Sequence, residues 1–405
     1  MSMRIVSVYN YYRNRGGEDE VFDAESALLE SHGHEVIRYS RHNTDIDGMN
    51  QFQLGAMTLW NHGAYDDLRR LIRARRPDVV HFHNTFPLVS PAAYYAVRSE
   101  GVPVVQTLHN FRIICPNALL YRNGRVCEEC IGRALPWPGI VHGCYQKSPK
   151  ATAGVAAMLA LHRILGTWQK QVDVYIALTE FARTKFIEGG LPAEKIVVKP
   201  NFVYPDPGAG IPDTANPYAL FVGRLVENKG IPTLLKAWKQ LNGIVPLKIA
   251  GTGPLAEAVR HTGGAAVEVI GRIPHDQVLQ LMCGASMFIA PYTAYESMPF
   301  TILEAYACGV PVIASNLGSM AVLVKHRETG LLFEAGNADI LARTVTWALD
   351  HPIEMRRMRA AARKEFELRY SAENNYEHLI SVYNMARRSM HGMPGCRDIN
   401  SAAVQ

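Results

Sequence analysis

Phe221-Val-Gly223-Arg224-Leu-Val-Glu-Asn-Lys229-Gly230 holds, in ten residues, the unit from which the chain is built. An apolar run stops at a glycine, two cations stand five residues apart in a loop, and a helix-forming stretch follows. Arginine supplies a fixed fork of donors and lysine a compact point charge, a pairing suited to a diphosphate. Two solvated loop cations are the alternative. A place at the carboxyl end of a strand, close to a domain junction, favours the phosphate reading.

The same strand-then-helix alternation recurs from end to end, which predicts parallel sheets covered by helices, an α/β fold. Strands are expected at 4–9, 34–39, 78–83, 103–109, 173–179 and 196–199, and again at 218–223, 247–251, 267–271, 287–290, 310–315 and 330–333. Each set can make one doubly wound sheet. Between them, residues 199–217 carry five prolines and two glycines, a composition that extends neither element type and reads as the linker. After Phe333 the pattern turns helical, with helices expected at 338–349, 353–369 and 372–388 and a frayed tail beyond. The domains expected are therefore 1–203, with a cysteine-bearing insertion at 112–148, and 204–370. A helix at 371–390 is expected to return to the first domain, with a flexible tail at 391–405. Two such sheets joined by one linker should leave a cleft at the carboxyl ends of their strands, where open α/β sheets bind ligands.

The chain has 405 residues, 48% of them hydrophobic and 20% charged, which suits two or three globular domains and excludes disordered and fibrous classes. Net charge is +5, too weak a bias for a dedicated nucleic-acid binder. Residues 1–9 lack a secretory pattern, and the uncharged run 305–324 is broken by Gly309, Pro311, Asn316 and Gly318, so a cytoplasmic protein is expected. Seven cysteines do not describe a secreted disulfide scaffold.

Several further segments carry chemistry. Asn14-Arg15-Gly16-Gly17-Glu18-Asp19 follows the first strand and leads into a helix. Adjacent glycines let a ligand approach the backbone and the helix start offers N–H groups to an anion, although a purely structural turn has the same pattern. Ala250-Gly251-Thr-Gly253-Pro makes a second glycine turn in the later half. In Glu296-Ser-Met298-Pro299-Phe300-Thr301-Ile-Leu-Glu304, followed by Gly309-x-Pro311, a helix starting near Pro299 exposes the N–H groups of residues 298–301. One acid can then reach a sugar ring and the other a pair of ribose hydroxyls. First-turn acids complementing the helix dipole account for Glu296 more easily than for Glu304. His81, His83 and Asn84 end the third strand and point toward the same expected cleft.

Gly16-Gly17, His109 after a strand, Gly223-Arg224 with Lys229-Gly230, Gly251-Thr-Gly253, and Glu296-x7-Glu304 together resemble the retaining, GT-B-fold glycosyltransferases of family 4, over roughly residues 3–385. The resemblance implies two Rossmann-like domains facing a cleft. It implies that Arg224 and Lys229 hold the diphosphate of a UDP- or GDP-sugar, that Glu304 binds the ribose and Glu296 the transferred sugar, and that the backbone of 298–301 meets the phosphates. Arg272 and Ile273 would border the base, and His109 would reach the sugar from the other domain. It further implies retention by same-face displacement, with no divalent metal and no cofactor. Asp45-Ile-Asp47 has the spacing of a metal-diphosphate motif but lies in a polar loop read as surface.

Cys115, Cys127, Cys130 and Cys144 crowd into thirty residues and make a candidate structural zinc site. The insertion, with Pro136-Trp137-Pro138-Gly139, is similar to that of bacterial family 4 enzymes of exopolysaccharide and O-antigen assembly. Residues 151–168 mix small and large apolar side chains, and 68–76 carry five arginines. Such a face could rest on the inner membrane and receive a lipid-linked acceptor, or a saccharide; core packing and a solvated helix face are the plainer readings. A nucleotide-sugar epimerase of the same architecture and a non-catalytic binding module are the rivals. A dehydrogenase is disfavoured, because no strand is followed by Gly-x-Gly-x-x-Gly.

Overall fold

A computed structural model describes residues 2–13, 16–213 and 215–390. Asn14 and Arg15 of the first glycine turn, and the expected tail 391–405, lie outside the described residues. In chain order the strands are β1 (Arg4–Tyr11), β2 (Glu35–His42), β3 (Val79–Phe82), β4 (Val104–Leu108), β5 (Tyr121–Arg122), β6 (Arg125–Val126), β7 (Val174–Ala177), β8 (Ile196–Val198), β9 (Ala219–Val222), β10 (Leu247–Ala250), β11 (Val267–Gly271), β12 (Met287–Ala290), β13 (Val312–Ser315) and β14 (Gly330–Phe333). Two compact units result, one of residues 1–120, 128–200 and 375 onward, the other of 121–127 and 201–374.

The first unit is built on a six-stranded parallel sheet, β2-β1-β3-β4-β7-β8. Its inner strands β3, β4 and β7 are buried along their whole length, so they read as near-continuous apolar runs. The helix Gly17–Ser31 follows β1, and the helix Ala372–Met390 packs into this unit from Asn375 on. Tyr376 of that last helix stacks on His32 and accepts or donates at 2.9 Å with His34 Nε2. Side-chain caps start several of the helices: Ser148 accepts from Ala151 N–H and Thr179 from Ala182 N–H.

The second unit repeats the plan with the order β11-β10-β9-β12-β13-β14, all parallel. Its chain path leaves β9 toward β10 and β11, then returns to β12 on β9's other side. The carboxyl ends of β9 and β12 therefore flank the topological switch point, the place where such sheets bind ligands. The short antiparallel pair β5–β6 belongs with this unit, and Thr293 Oγ1 donates to Tyr121 Oη at 3.4 Å. Sequence reasoning treated 112–148 as one insertion of the first domain; the hairpin divides it.

The predicted zinc site is not assembled. Among the described residues the one group of three or more side chains with metal-ligand atoms mutually within 4.8 Å is Glu25, His81 and His83, so no three of Cys115, Cys127, Cys130 and Cys144 converge. Cys127 ends a hairpin that groups with the second unit, while the other three belong to the first. Cys115 Sγ instead donates to Asn117 Oδ1 at 2.9 Å.

Candidate active site

In the second unit several of the residues singled out in the sequence gather around the switch point. Lys229 ends a short turn after β9, Glu296 lies in the loop after β12, and Lys229 Nζ stands 2.9 Å from Glu296 Oε1. Nζ also lies 4.2 Å from the centre of the Tyr292 ring. Burial alone would push the Lys229 ammonium down; Glu296 and Tyr292 outweigh it, while the nearby Arg224 charge opposes them, and the net shift is upward. Lysine thus stays charged where an anion would meet it. Arg224 itself is exposed at the end of β9.

The loops are held close by glycines. Gly230 has φ +75°, and a Cβ there would fall 1.8 Å from Pro291 O. At Gly251, with φ +146°, a Cβ would fall 1.9 Å from Gly223 O. Gly223 N–H donates to Ala250 O, and Leu225 N–H to Thr252 O, zipping the two glycine turns together. Gly251 and Gly253, read from sequence as donor-binding, both stand where the two loops approach closely, a Cβ at Gly253 falling 2.5 Å from Leu225 O.

The helix Phe300–Ala307 starts after Pro299. Its first turn leaves backbone N–H groups without helical partners. Met298 is buried, its sulfur accepting from Asn201 N–H at 3.3 Å, and Ser319 Oγ donates to Ser297 O at 2.9 Å, so the loop before the helix is anchored on both sides. Thr301 Oγ1 is 3.2 Å from Tyr292 Oη. Glu304 is 3% exposed, with its Oε1 2.5 Å from His275 Nε2. His275, three residues past Arg272, was missed in the sequence, as was Tyr292. His275 opens the helix His275–Gly284 and Tyr292 stands in the loop after β12, positions where a ring residue gives no periodic signal. Arg272 is exposed and Ile273 half-buried just beyond β11.

The first unit holds a second constellation. His109 follows β4, and its Nε2 is 3.0 Å from His83 Nδ1. His83 Nε2 lies 3.3 Å and His81 Nδ1 3.2 Å from Glu25 Oε1, and Lys199 Nζ lies 3.2 Å from Glu25 Oε2. Burial would raise the Glu25 carboxyl, but Lys199 and His81 hold it well below the usual range. Burial and then His83 push His81 down to about 4 and His109 well below the ordinary imidazole value. Glu25 and Lys199 carried no sequence signal, being single charged residues far apart in the chain. Asn84 is structural, its Nδ2 donating to Asn10 O at 2.8 Å.

At Gly16 and Gly17 the start of the helix carries its own acidic side chains. Gly16 N–H is engaged by Asp19 Oδ2 at 2.7 Å, and Glu18, Asp19 and Glu20 fill the first turn with negative charge, as suits a helix N-terminus. Glu18 accepts from Asn110 Nδ2 at 3.1 Å, and burial raises its carboxyl to about 7. Asp45 and Asp47 are exposed. Of the five arginines at 68–76, Arg69 and Arg73 pair with Glu100, Arg70 with Asp67 and Arg75 with Glu35. The helix Pro149–Ile164 buries Val155, Met158 and Leu159 and exposes Ile164. Among the described residues no helix is long and apolar enough to cross a membrane.

Residues 16–201 match the model of the glycosyl transferase 4-like domain, and 209–365 that of glycosyl transferases group 1. The chain is 26% identical over 274 residues to the teichuronic acid biosynthesis glycosyltransferase TuaC of Bacillus subtilis, described there as putative, covering 67% of this chain and 61% of that one. It is 31% identical over 185 residues to a GDP-mannose-dependent phosphatidylinositol monomannoside mannosyltransferase of Corynebacterium glutamicum, covering 43% and 48%. The chain thus spans between about half and three fifths of these relatives. Among solved structures, Anabaena HepE in complex with UDP superposes with a TM-score of 0.68 at 18% identity, covering 94% of this chain and all of that one, a likeness of GT-B fold.

Proposed function

We infer, from a chain whose two halves belong to the 4-like and group 1 glycosyltransferase families and share the GT-B fold, that it transfers a sugar from a nucleotide diphosphate donor. The observation that carries this is the Lys229–Glu296 pair spanning the switch point between β9 and β12. Lys229, with exposed Arg224, supplies the positive charge that a diphosphate leaving group needs. Glu304, one oxygen engaged by His275, offers the other to the ribose diol. Glu296 accepts from hydroxyls of the transferred sugar, the backbone at 298–301 meets the phosphates, and Arg272 with Ile273 borders the base. UDP is the first candidate, since HepE binds it, and GDP the second, since the Corynebacterium relative is named for GDP-mannose.

The finer reading is a retaining, metal-independent transfer onto a lipid-linked or saccharide acceptor in cell-surface polysaccharide assembly. TuaC, named for teichuronic acid biosynthesis, supports the pathway. The exposed Trp137, Val141 and Ile164 of the first unit support contact with a membrane surface carrying the acceptor. A panel of UDP- and GDP-sugars screened by thermal shift tests the donor, since a ligand at ~100 times its Kd adds ~2.7 kcal/mol. Proton NMR of the product then reads the anomeric configuration. Stabilisation by no nucleotide sugar, or an inverted product, would end the corresponding part of the reading.

A further inference from the structure

Glu25, His81 and His83, whose metal-ligand atoms lie mutually within 4.8 Å, belong wholly to the first unit and take no part in the donor reading. His81 and His83 are two apart in an extended segment, so both side chains leave the same face of the sheet. Glu25 meets them there from the helix that follows β1. All three are at most 3% exposed, where a polar atom must find a partner or cost the fold its desolvation.

Two of the atoms find none. Glu25 Oε1 lies 3.3 Å from His83 Nε2 and 3.2 Å from His81 Nδ1, yet neither Glu25 Oε1 nor His83 Nε2 has a hydrogen-bond partner among the described residues. Their lone pairs are close without being aimed at one another. Such an arrangement suits atoms that share a point between them. Ligands ~2.0 Å from a tetrahedral zinc ion stand about 3.3 Å apart, which is the separation seen here. The outward atoms of the same three side chains are all engaged. His81 Nε2 is 2.8 Å from Thr107 Oγ1, His83 Nδ1 is 3.0 Å from His109 Nε2, and Glu25 Oε2 accepts from Lys199 Nζ at 3.2 Å. Metal-binding histidines and carboxylates are held in this way, their inner atoms bare and their outer ones bonded.

We propose that Glu25 Oε1, His81 Nδ1 and His83 Nε2 ligate a structural zinc ion, with Tyr383 Oη, 2.9 Å from His81 Nδ1, as the fourth ligand. Two nitrogens and two oxygens form a donor set that zinc accepts. The Lys199 ammonium opposes a dication, but it stands on the far side of the carboxylate. Two anionic oxygens, the carboxylate of Glu25 and the phenolate that Tyr383 becomes on ligation, lie against the ion, and attraction at ligand distance exceeds repulsion from farther off. The phenol proton leaves to solvent, as metal binding to a protonated ligand requires. The ion ties the helix Gly17–Ser31 and β3 to the last helix, Ala372–Met390. With every ligand buried and no position open to substrate, it holds the fold and takes no part in transfer.

Metal analysis of the full chain tests this, with no recourse to activity. Protein purified without chelator, or unfolded in chelator and refolded with added zinc, should hold about one equivalent per chain, and zinc should raise the thermal midpoint of the metal-free form. Cobalt in place of zinc should give the visible absorption of a tetrahedral site without the intense near-ultraviolet bands of thiolate ligation, which separates this site from the four cysteines of the insertion. His83→Ala and Glu25→Gln should each lose the ion, and the double variant Cys127→Ser, Cys130→Ser should keep it. Less than about a tenth of an equivalent in the wild type, both as purified and after refolding with zinc, overturns the proposal whether or not the variants fold, and leaves a buried water to fill the site. Thiolate bands in the cobalt form, or an ion lost with the cysteines and kept in His83→Ala, overturn it equally.

Discussion

Replacing Lys229 by methionine removes a charge while keeping most of the side chain's length, and the structure sets the size of the effect. At 2.9 Å from Glu296, two unit charges attract by ~6 kcal/mol at an effective dielectric constant of ~20. The lysine and glutamate side chains are 21% and 23% exposed, so desolvation and screening reduce this to a net coupling of about 1–3 kcal/mol. A double-mutant cycle of Lys229→Met, Glu296→Gln and both together, read by urea unfolding without ligand, should return that coupling, with each single variant costing more than its share of the double. Nucleotide binding adds an independent reading. A charge-assisted contact to the diphosphate contributes about 1.5–3 kcal/mol, so UDP or GDP affinity should fall roughly 10- to 100-fold in Lys229→Met by titration calorimetry. The two measurements refute different things. A coupling below ~0.5 kcal/mol would show that the ion pair is not formed in solution. A nucleotide affinity within twofold of wild type would remove Lys229 from the donor site.

Glu304→Ala should weaken donor binding about tenfold to a hundredfold, and His275→Ala should do so less, by freeing the carboxylate's second oxygen; equal affinity in Glu304→Ala and wild type would detach the ribose from this helix. Gly230→Ala should destabilise by about 3 kcal/mol or more, because its Cβ meets Pro291 O in a left-handed conformation; a urea midpoint unchanged from wild type contradicts that close approach. Acid should destabilise the first unit before carboxylates are fully protonated. His81 titrates near 4 when folded, below the ~6.5 of an unfolded histidine, so the unfolded chain binds more protons in that window. Stability should therefore be full above pH ~6.5 and fall by about 3 kcal/mol as pH drops toward 4, with Glu25, its carboxyl also depressed, adding a further loss below. Unfolding free energies that stay flat from pH 7 to 4.5 would argue against a buried neutral His81. Transfer should persist at full rate in excess chelator, and its abolition with recovery on adding a divalent cation would reverse the metal-independent reading.

All twelve strands of the two large sheets can be read from the sequence. A central strand of a parallel sheet is buried on both faces and must be an unbroken apolar run, and residues such as 219–222, 287–290 and 312–315 are that and little else. The three last helices are equally legible from their period, to within two residues at either end. The strand-to-helix loops with their cations and acids are visible too, since Arg224, Lys229, Glu296 and Glu304 sit at fixed offsets from strand ends.

Partnership is what the sequence withholds. Nothing local says that Glu25 and Lys199 will meet across 174 residues, or that His275 will reach Glu304. Nor does it say that a hairpin inside a cysteine-rich stretch will group with the other unit. A sequence records which side chains a strand or helix presents, because that depends on a period of two or 3.6 residues. Which of them end up within hydrogen-bonding distance depends on strand order, and strand order is decided only when whole sheets bury their faces.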